Sequence, residues 1–157
     1  MSVKPDLPKA SQRLLESVEL DTEIREFPEG TKTAEDAAQA IGCPVSAIVK
    51  SLVFVVDDEP VVALVPGDLR LDTVALAAAA GGNKARRAEL QEVRDATGFA
   101  AGGTPPFGHA RKLRVFADPA LRRNDPVWAA AGTPTTVFPI SIDDLDRLAA
   151  PVWVKVT

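Results

Sequence analysis

The sequence predicts a single α+β domain built on a mixed or largely antiparallel β-sheet. Its 157 residues are 46% hydrophobic and 25% charged, which is the balance of one folded domain with a hydrophobic core. Two adjacent apolar runs, at 47–56 and 61–65, flank an acidic turn at 57–60 and predict an antiparallel hairpin. The other strand patterns are mixed with helical ones, without the regular βαβ alternation of a parallel sheet.

The individual elements follow from the spacing of apolar residues and from capping residues. Alternating or apolar runs predict strands at 22–27, 47–56, 61–65, 113–117, 127–131, 135–140 and 152–156. Helical spacing predicts helices at 8–19, 34–41, 72–80, 87–97 and 141–148, with a turn or short helix after Cys43 and a single helical turn from Asp118. Thr33, Asp72 and Ser141 are the expected N-caps, because their side-chain oxygens can accept the free N–H groups of a first helical turn.

A glycine-rich loop at residues 98–108 interrupts these periodic segments. It holds four glycines and two prolines in eleven residues, so it is neither a regular helix nor a central strand. Glycine lets a backbone approach a ligand closely and point N–H groups at it. The alternative from composition alone is a long surface turn.

Lys50 is the odd residue of the strongest strand. A period of two places it in one row with Ile48, Leu52 and Phe54. Because burying an unpaired ammonium is costly, Lys50 should open into a pocket or meet an anion. The alternative is a lysine at a strand end whose ammonium reaches water.

Charge is unevenly distributed along the chain. The net charge is −4, but residues 84–123 carry a net +5 while residues 1–83 carry a net −7. This basic segment surrounds the glycine-rich loop, so it can guide a phosphate backbone to the loop even on an acidic protein. A solvated charged surface without any partner is the alternative.

Several classes of function are disfavoured. One cysteine and one histidine provide neither a disulfide framework nor a His-rich metal site, and no apolar run is long enough to span a membrane. The N-terminus lacks the apolar core of a signal peptide, so a cytoplasmic protein is expected. Neither a metal nor a cofactor is expected. Cys43 would need an activating base to act as a nucleophile, and nothing links it to His109. A small buried residue is therefore the favoured interpretation of Cys43.

The ordered set of segments resembles the YbaK and prolyl-tRNA-synthetase-associated editing domains. The similarity covers about residues 22–157, which leaves residues 1–21 as an N-terminal helical extension. It rests on these segments in this order: Gly42-Cys43, Ile48-Val49-Lys50-Ser51-Leu52, Gly102-Gly103-Thr104-Pro105-Pro106-Phe107-Gly108 and Ala130-Ala131-Gly132-Thr133. The resemblance implies a barrel-like mixed sheet surrounded by helices, and hydrolysis of the ester in mischarged aminoacyl-tRNA. Its typical substrate is tRNA-Pro carrying alanine or cysteine, with prolyl-tRNA synthetase as a further partner.

The resemblance also implies roles for individual residues. Lys50 matches a strand lysine that contacts the terminal adenosine or the substrate. Gly102 begins a Gly-x-x-x-Pro loop whose backbone amide faces the aminoacyl carbonyl, so Gly102 and Gly103 are the expected donors and Pro106 stiffens the loop. Ser51, Thr104 and the small residues Ala130, Ala131 and Gly132 are the expected substrate contacts. The expected tRNA contacts are Arg111, Lys112 and Arg114.

Two positions depart from the family pattern. Ser51 stands where some alanine-editing members have asparagine, and Ala130 stands where several cysteine-editing members have serine. The amino acid removed is therefore open at this stage. Two other functions remain as alternatives, a non-catalytic module that binds tRNA or a synthetase and a small-molecule ester hydrolase on the same scaffold.

Overall fold

The computed structural model describes residues 7–18, 20–27 and 33–157. Its helices are α1 (Lys9–Ser17), α2 (Ala34–Ile41), α3 (Thr73–Ala79), α4 (Leu90–Thr97) and α5 (Ile142–Ala149), with short 3-10 helices at Val45–Ala47 and Pro119–Arg123. Its strands are β1 (Arg25–Glu26), β2 (Ile48–Val56), β3 (Glu59–Pro66), β4 (Ala85–Arg87), β5 (Arg114–Ala117), β6 (Val127–Ala130), β7 (Thr136–Ile140) and β8 (Val152–Trp153). None of the helices in these described ranges has the length and apolar character needed to cross a bilayer.

The strands form one mixed sheet, in the order β1-β7-β6-β2-β3-β5-β8, and β4 also pairs with β2. Four pairings are antiparallel, namely β1–β7, β6–β7, β2–β3 and β2–β4. Three are parallel, namely β2–β6, β3–β5 and β5–β8. The sheet is not closed, and the prediction of a single α+β domain with a mixed, largely antiparallel sheet is confirmed.

The β2–β3 hairpin is the centre of the sheet. Residues 61–65 of β3 are fully buried, because hydrophobic clusters cover both faces of the strand. The hairpin turn consists of Asp57 and Asp58 alone, both with positive φ, as in the two-residue turns that match the twist of paired strands. The predicted turn at 57–60 was too long, since Glu59 and Pro60 already pair with β2.

The predicted capping residues begin three of the helices. Thr33, Asp72 and Ser141 each accept a backbone N–H of the first turn, in α2, α3 and α5 respectively. Gly42 ends α2 in the left-handed conformation that glycine adopts without a steric penalty. These contacts are local, so the helix boundaries there follow closely from the sequence.

The helix predicted at 87–97 begins later than expected. Residues Ala85–Arg87 form the short strand β4 along β2, and α4 begins only at Leu90. The reason is a capping box at the start of α4. The Glu89 side chain accepts the backbone N–H of Glu92, and the Glu92 side chain accepts the backbone N–H of Glu89. The predicted strands at 22–27 and 152–156 are also shorter, with only two paired residues each.

Helix α1 packs against the sheet rather than standing apart from it. Leu14 is 1% exposed and joins the main hydrophobic cluster. The buried hydroxyl of Ser11 donates to the Ala131 carbonyl oxygen at 2.7 Å and lies 3.1 Å from the Thr136 hydroxyl. These contacts fix α1 against the turn between β6 and β7.

Candidate functional site

A cavity of about 350 Å³ lies beside the middle of β2. Its walls are formed by β2, the end of β6, the segment that joins β4 to α4, the start of α2 and the glycine-rich loop. The residues expected at the site that line it are Lys50, Ser51, Gly102, Thr104 and Ala130. The strand and the loop that are far apart in sequence therefore meet at one cavity.

The Lys50 side chain is half-buried in this cavity. Its ammonium donates a hydrogen bond to the Leu69 carbonyl oxygen at 2.8 Å. Burial lowers the pKa of Lys50, and the charges of Glu35 and Asp68 oppose part of that effect while Arg70 adds to it. Lys50 is thus a positioned cation in a partly desolvated environment, as its place in an apolar row suggested.

Ser51 also lines the cavity and carries an unsatisfied polar group. Its hydroxyl oxygen is buried, and within the described part of the chain it has no hydrogen-bond partner. Because buried polar groups are nearly always paired, such an atom points to a water or ligand that would satisfy it.

The tip of the glycine-rich loop presents Gly102 to the cavity. Gly102 is exposed with φ +86, and among the described residues its N–H has no acceptor. The Gly103 N–H differs, since it donates to the Ala100 carbonyl oxygen at 3.1 Å and Gly103 does not line the cavity. A Cβ at position 103 would lie 2.6 Å from the Thr133 Cα, so this glycine permits close packing of the loop on the β6–β7 turn.

The rest of the loop is held by its own contacts. Thr104 donates its hydroxyl to the Ala100 carbonyl oxygen at 3.1 Å. The Nε2 atom of His109 lies 2.7 Å from the Pro105 carbonyl oxygen, and burial lowers the pKa of this imidazole although the hydrogen bond opposes the effect. The Phe107 ring meets the Phe138 ring edge to face at 5.9 Å. The loop is therefore an ordered part of the core.

Pro106, Ala131 and Gly132 were expected at the site but lie outside the cavity wall. Pro106 is buried within the loop. Ala131 is fully buried in the main cluster, and a Cβ on Gly132 would lie 2.9 Å from the α1 backbone at Ala10. The small residues after β6 thus make room for α1, while Ala130 alone of the three lines the cavity.

The expected tRNA-binding cations also lie outside the cavity wall. Arg111 and Lys112 are exposed on the segment that follows the loop. Arg114 lies on β5, where it donates to Glu59 at 2.9 Å and to the Ala80 carbonyl oxygen at 3.0 Å. Its guanidinium is thus already engaged within the protein.

Sequence reasoning did not assign several cavity residues to the site, among them Arg87, Leu90 and Trp128. Arg87 ends β4 and lies over the Phe54 ring at 5.9 Å, while Leu90 is 76% exposed at the start of α4. The Arg25 guanidinium lies over the Trp128 ring at 4.8 Å. No local pattern signalled these residues, because the pairing of β4 that brings Arg87 here is not visible in the sequence.

The described part of the cavity wall carries no side-chain base. Among its described residues there is no aspartate, glutamate, histidine or cysteine. The Cys43 thiol lies elsewhere, packed near Ile48, and burial raises its pKa. The described residues also contain no group of three ligands suited to a metal ion. The cavity wall includes the cation Lys50, and it includes Gly102 and Ser51, whose main-chain N–H and hydroxyl respectively have no partner among the described residues.

Comparison with known proteins identifies the family of the chain. The model of the aminoacyl-tRNA editing domain matches residues 28–148. The uncharacterized protein YwhH of Bacillus subtilis (strain 168) is 32% identical over 138 residues, which cover 87% of each chain. The proline--tRNA ligase of Maridesulfovibrio salexigens is 39% identical over 92 residues, which are 59% of this chain and only 16% of the ligase.

A solved structure is similar over the whole fold. It is described as a candidate trans-editing enzyme for prolyl-tRNA synthetase, and it superposes with a TM-score of 0.91 at 37% identity. The match covers 97% of this chain and 99% of that one. The two chains therefore share their complete architecture, whereas the similarity to the ligases is confined to a small part of their length.

Proposed function

Because the chain belongs to the aminoacyl-tRNA editing domain family, we propose that it is a trans-editing deacylase that hydrolyses the ester of mischarged aminoacyl-tRNA. The substrate is tRNA-Pro carrying alanine or cysteine, and the place of action is the cytoplasm. The similarity to an editing part of proline--tRNA ligases supports the choice of tRNA. The full-length match to a candidate trans-editing enzyme supports action on tRNA released by the synthetase.

One observation carries the proposal, namely that Lys50 lines the same cavity as Gly102, whose N–H has no acceptor among the described residues. A main-chain N–H at the reacting carbonyl stabilises the negative charge that develops on its oxygen. A lysine ammonium beside it can bind the terminal ribose or its phosphate. Both groups are held in place, Gly102 by the packed loop and Lys50 by the Leu69 carbonyl oxygen.

The reaction proceeds by attack of a water oxygen on the aminoacyl carbonyl carbon. The oxyanion accepts a hydrogen bond from the Gly102 N–H, and the bond between the carbonyl carbon and the ribose oxygen then breaks. The proton lost by the water ends on that ribose oxygen, which gives free amino acid and uncharged tRNA. Since the described cavity wall has no aspartate, glutamate, histidine or cysteine, the neighbouring ribose hydroxyl of the substrate passes the proton.

Selection of the amino acid depends on the local shape of the cavity rather than on its total size. A volume of about 350 Å³ is more than an alanyl group needs and leaves room for part of the terminal adenosine. Ala130 and Gly102 are among the small residues that line it, and they favour a small acyl group. Such a second site is needed because one methylene changes binding by only about 1–3 kcal/mol.

The phosphates of the tRNA are bound by cations at and around the cavity. Arg87 lines the cavity together with Lys50, so it is assigned to the terminal nucleotides. Arg111 and Lys112 are exposed after the loop and contact the acceptor stem, and Arg114 adds to the same positive field. No metal or cofactor takes part in this proposal.

A panel of charged tRNAs tests the proposal directly. Purified protein is incubated with tRNA-Pro carrying alanine, cysteine, serine or proline, and the remaining ester is measured against time. Hydrolysis of alanyl- or cysteinyl-tRNA-Pro above the uncatalysed rate, with prolyl-tRNA-Pro spared, is expected. Binding without turnover would identify a non-catalytic module, and turnover of simple esters without tRNA would identify a small-molecule hydrolase.

A further inference from the structure

The cavity-facing edge of β2 is paired at both ends and open in the middle. At one end β6 runs parallel to β2 and pairs with Ile48 and Val49. At the other end β4 runs antiparallel and pairs with Phe54, Val55 and Val56. Between them, on this side, the described residues provide no strand partner for residues 50–53.

The register identifies the main-chain groups that point into this gap. The Gly67 N–H donates to the Ile48 carbonyl oxygen, so even-numbered residues of β2 direct their polar groups toward β3. The Ala88 N–H donates to the Val53 carbonyl oxygen on the opposite edge, which is therefore the edge of the odd-numbered residues. The groups left in the gap are the N–H and carbonyl of Ser51 and the N–H of Val53.

The pairing of β6 with β2 ends at Val49 and that of β4 begins at Phe54, and none of the other main-chain hydrogen bonds of the described residues involves these three groups. Both residues line the cavity, and the buried hydroxyl of Ser51 is likewise without a partner. A central strand with unpaired polar groups is costly unless water or a ligand satisfies them. The gap is thus a piece of sheet edge enclosed in a cavity instead of lying on the outside of the molecule.

The spacing of these groups matches one residue of a parallel strand. Continuing the pairing of β6, the next partner would donate its N–H to the Ser51 carbonyl oxygen and accept from the Val53 N–H. An aminoacyl ester carries that pair of groups, an ammonium donor and a carbonyl acceptor on either side of one α-carbon. Strand addition to an open edge is a general mode of recognition that uses main-chain bonds for affinity.

We propose that the aminoacyl group binds in this gap as a single added strand residue, with its ammonium donating to the Ser51 carbonyl oxygen and its ester carbonyl accepting from the Val53 N–H. The inference rests on the proposed function and deepens it. It makes the Val53 N–H a second donor to the oxyanion beside that of Gly102. It also means that the same two main-chain groups bind the α-amino group and carbonyl of any amino acid. The shape of the cavity then selects the size of the side chain.

Binding of stable analogues tests the inference without requiring turnover. The two ligands are 3′-deoxyadenosines with an alanylamido or a propionylamido group at the 3′ position, which differ only in the ammonium. Titration followed by NMR is expected to show about 10- to 100-fold tighter binding of the alanyl analogue, as for a hydrogen bond to a charged group. Equal affinity of the two analogues, or no binding of either, overturns the inference even if alanyl-tRNA is hydrolysed.

A change of the main chain tests the Val53 donor. Replacing Val53 by its α-hydroxy acid, through a suppressor tRNA, exchanges its N–H for an ester oxygen and leaves the side chain intact. The matched control is the same replacement at Val55, whose register places its N–H in the ladder with β4. We expect the Val53 ester to bind the alanyl analogue about 10-fold more weakly than the Val55 ester, with thermal unfolding confirming that both are folded. Equal binding by the two esters overturns the role of Val53.

Discussion

The Lys50 ammonium donates to the Leu69 carbonyl oxygen at 2.8 Å, and this contact holds in place the one lysine among the described residues of the cavity wall. The contact joins the middle of β2 to the segment after β3. It accounts for how a cation can stand in an otherwise apolar row, because its charge is partly satisfied by a carbonyl dipole and faces a cavity.

Replacing Lys50 by methionine should lower the deacylation rate while leaving the fold intact. Methionine keeps much of the apolar stem but removes the charged donor, so kcat/KM for alanyl-tRNA-Pro is expected to fall about 10- to 100-fold. The matched control is Arg147→Met, which removes an exposed cation on α5 outside the cavity wall. Full activity of the Lys50 variant in single-turnover assays would remove this residue from the site.

Replacing Gly102 by alanine should affect activity more than stability. The position has φ +86 and only the Pro134 Cγ atom near a new Cβ, at 3.9 Å, so the cost in folding free energy is backbone strain of about 1 kcal/mol. Gly81→Ala carries the same kind of strain at φ +75 with open space around it. Similar losses of stability, with a loss of deacylation only at position 102, are expected from denaturant unfolding and kinetic assays. Equal activity of the two variants would contradict the role of the loop.

Replacing Gly103 by alanine should destabilise the protein more than either of these changes. A Cβ there would lie 2.6 to 2.8 Å from backbone atoms of Thr133, which cannot move aside as a flexible side chain can. We expect a loss of about 1–3 kcal/mol in the free energy of unfolding, as for overpacking in a core. Urea unfolding measures it, and a loss no larger than that of Gly81→Ala would show that the loop can shift away from the turn.

The free energy of unfolding should decrease as the pH falls below the pKa of an ordinary histidine. Burial lowers the pKa of His109 in the folded state, so below about pH 6.5 the unfolded chain binds a proton that the folded chain resists. The stabilisation associated with neutral His109 is fully present above the pKa of this residue in the unfolded chain. It is lost as the pH falls toward the lower pKa of His109 in the folded protein.

Unfolding free energies measured between pH 7.5 and 5.5 test this expectation. The His109→Gln variant, which retains a side-chain donor for Pro105, should show a smaller decrease over that range. The carboxyl groups with lowered pKa, among them Glu92 at about 2, titrate below this window. Parallel pH profiles for the two proteins would assign the decrease to other groups.

Binding of tRNA should weaken with salt through the cations outside the cavity. Neutralising Arg111 and Lys112 together should reduce the slope of log affinity against log salt by about 2, or about 1 for each phosphate that no longer has a cationic partner. Arg114→Gln should change the slope less, because the Arg114 guanidinium already donates to Glu59 and Ala80. Filter binding at several salt concentrations measures both, and an unchanged slope in the double variant would exclude that surface.

The sequence alone determined the helix caps and the family of this protein. The caps at Thr33, Asp72 and Ser141 depend on contacts within a few residues, so their side-chain chemistry is enough to predict them, whereas the predicted hairpin turn was two residues too long. The ordered glycine, lysine and small-residue segments indicated the editing family, which the comparisons show. That Lys50 and the glycine-rich loop line one cavity was an expectation from that resemblance.

The tertiary structure decided which groups of those segments reach the cavity. Gly103 uses its N–H within the loop, and Ala131 and Gly132 lie against α1, although all three belong to the segments that carry the resemblance. The open edge at Ser51 and Val53 exists only because β6 ends its pairing at Val49 and β4 begins its own at Phe54. Such pairings join residues tens of positions apart, and their free energy depends on packing that no local pattern in the sequence encodes.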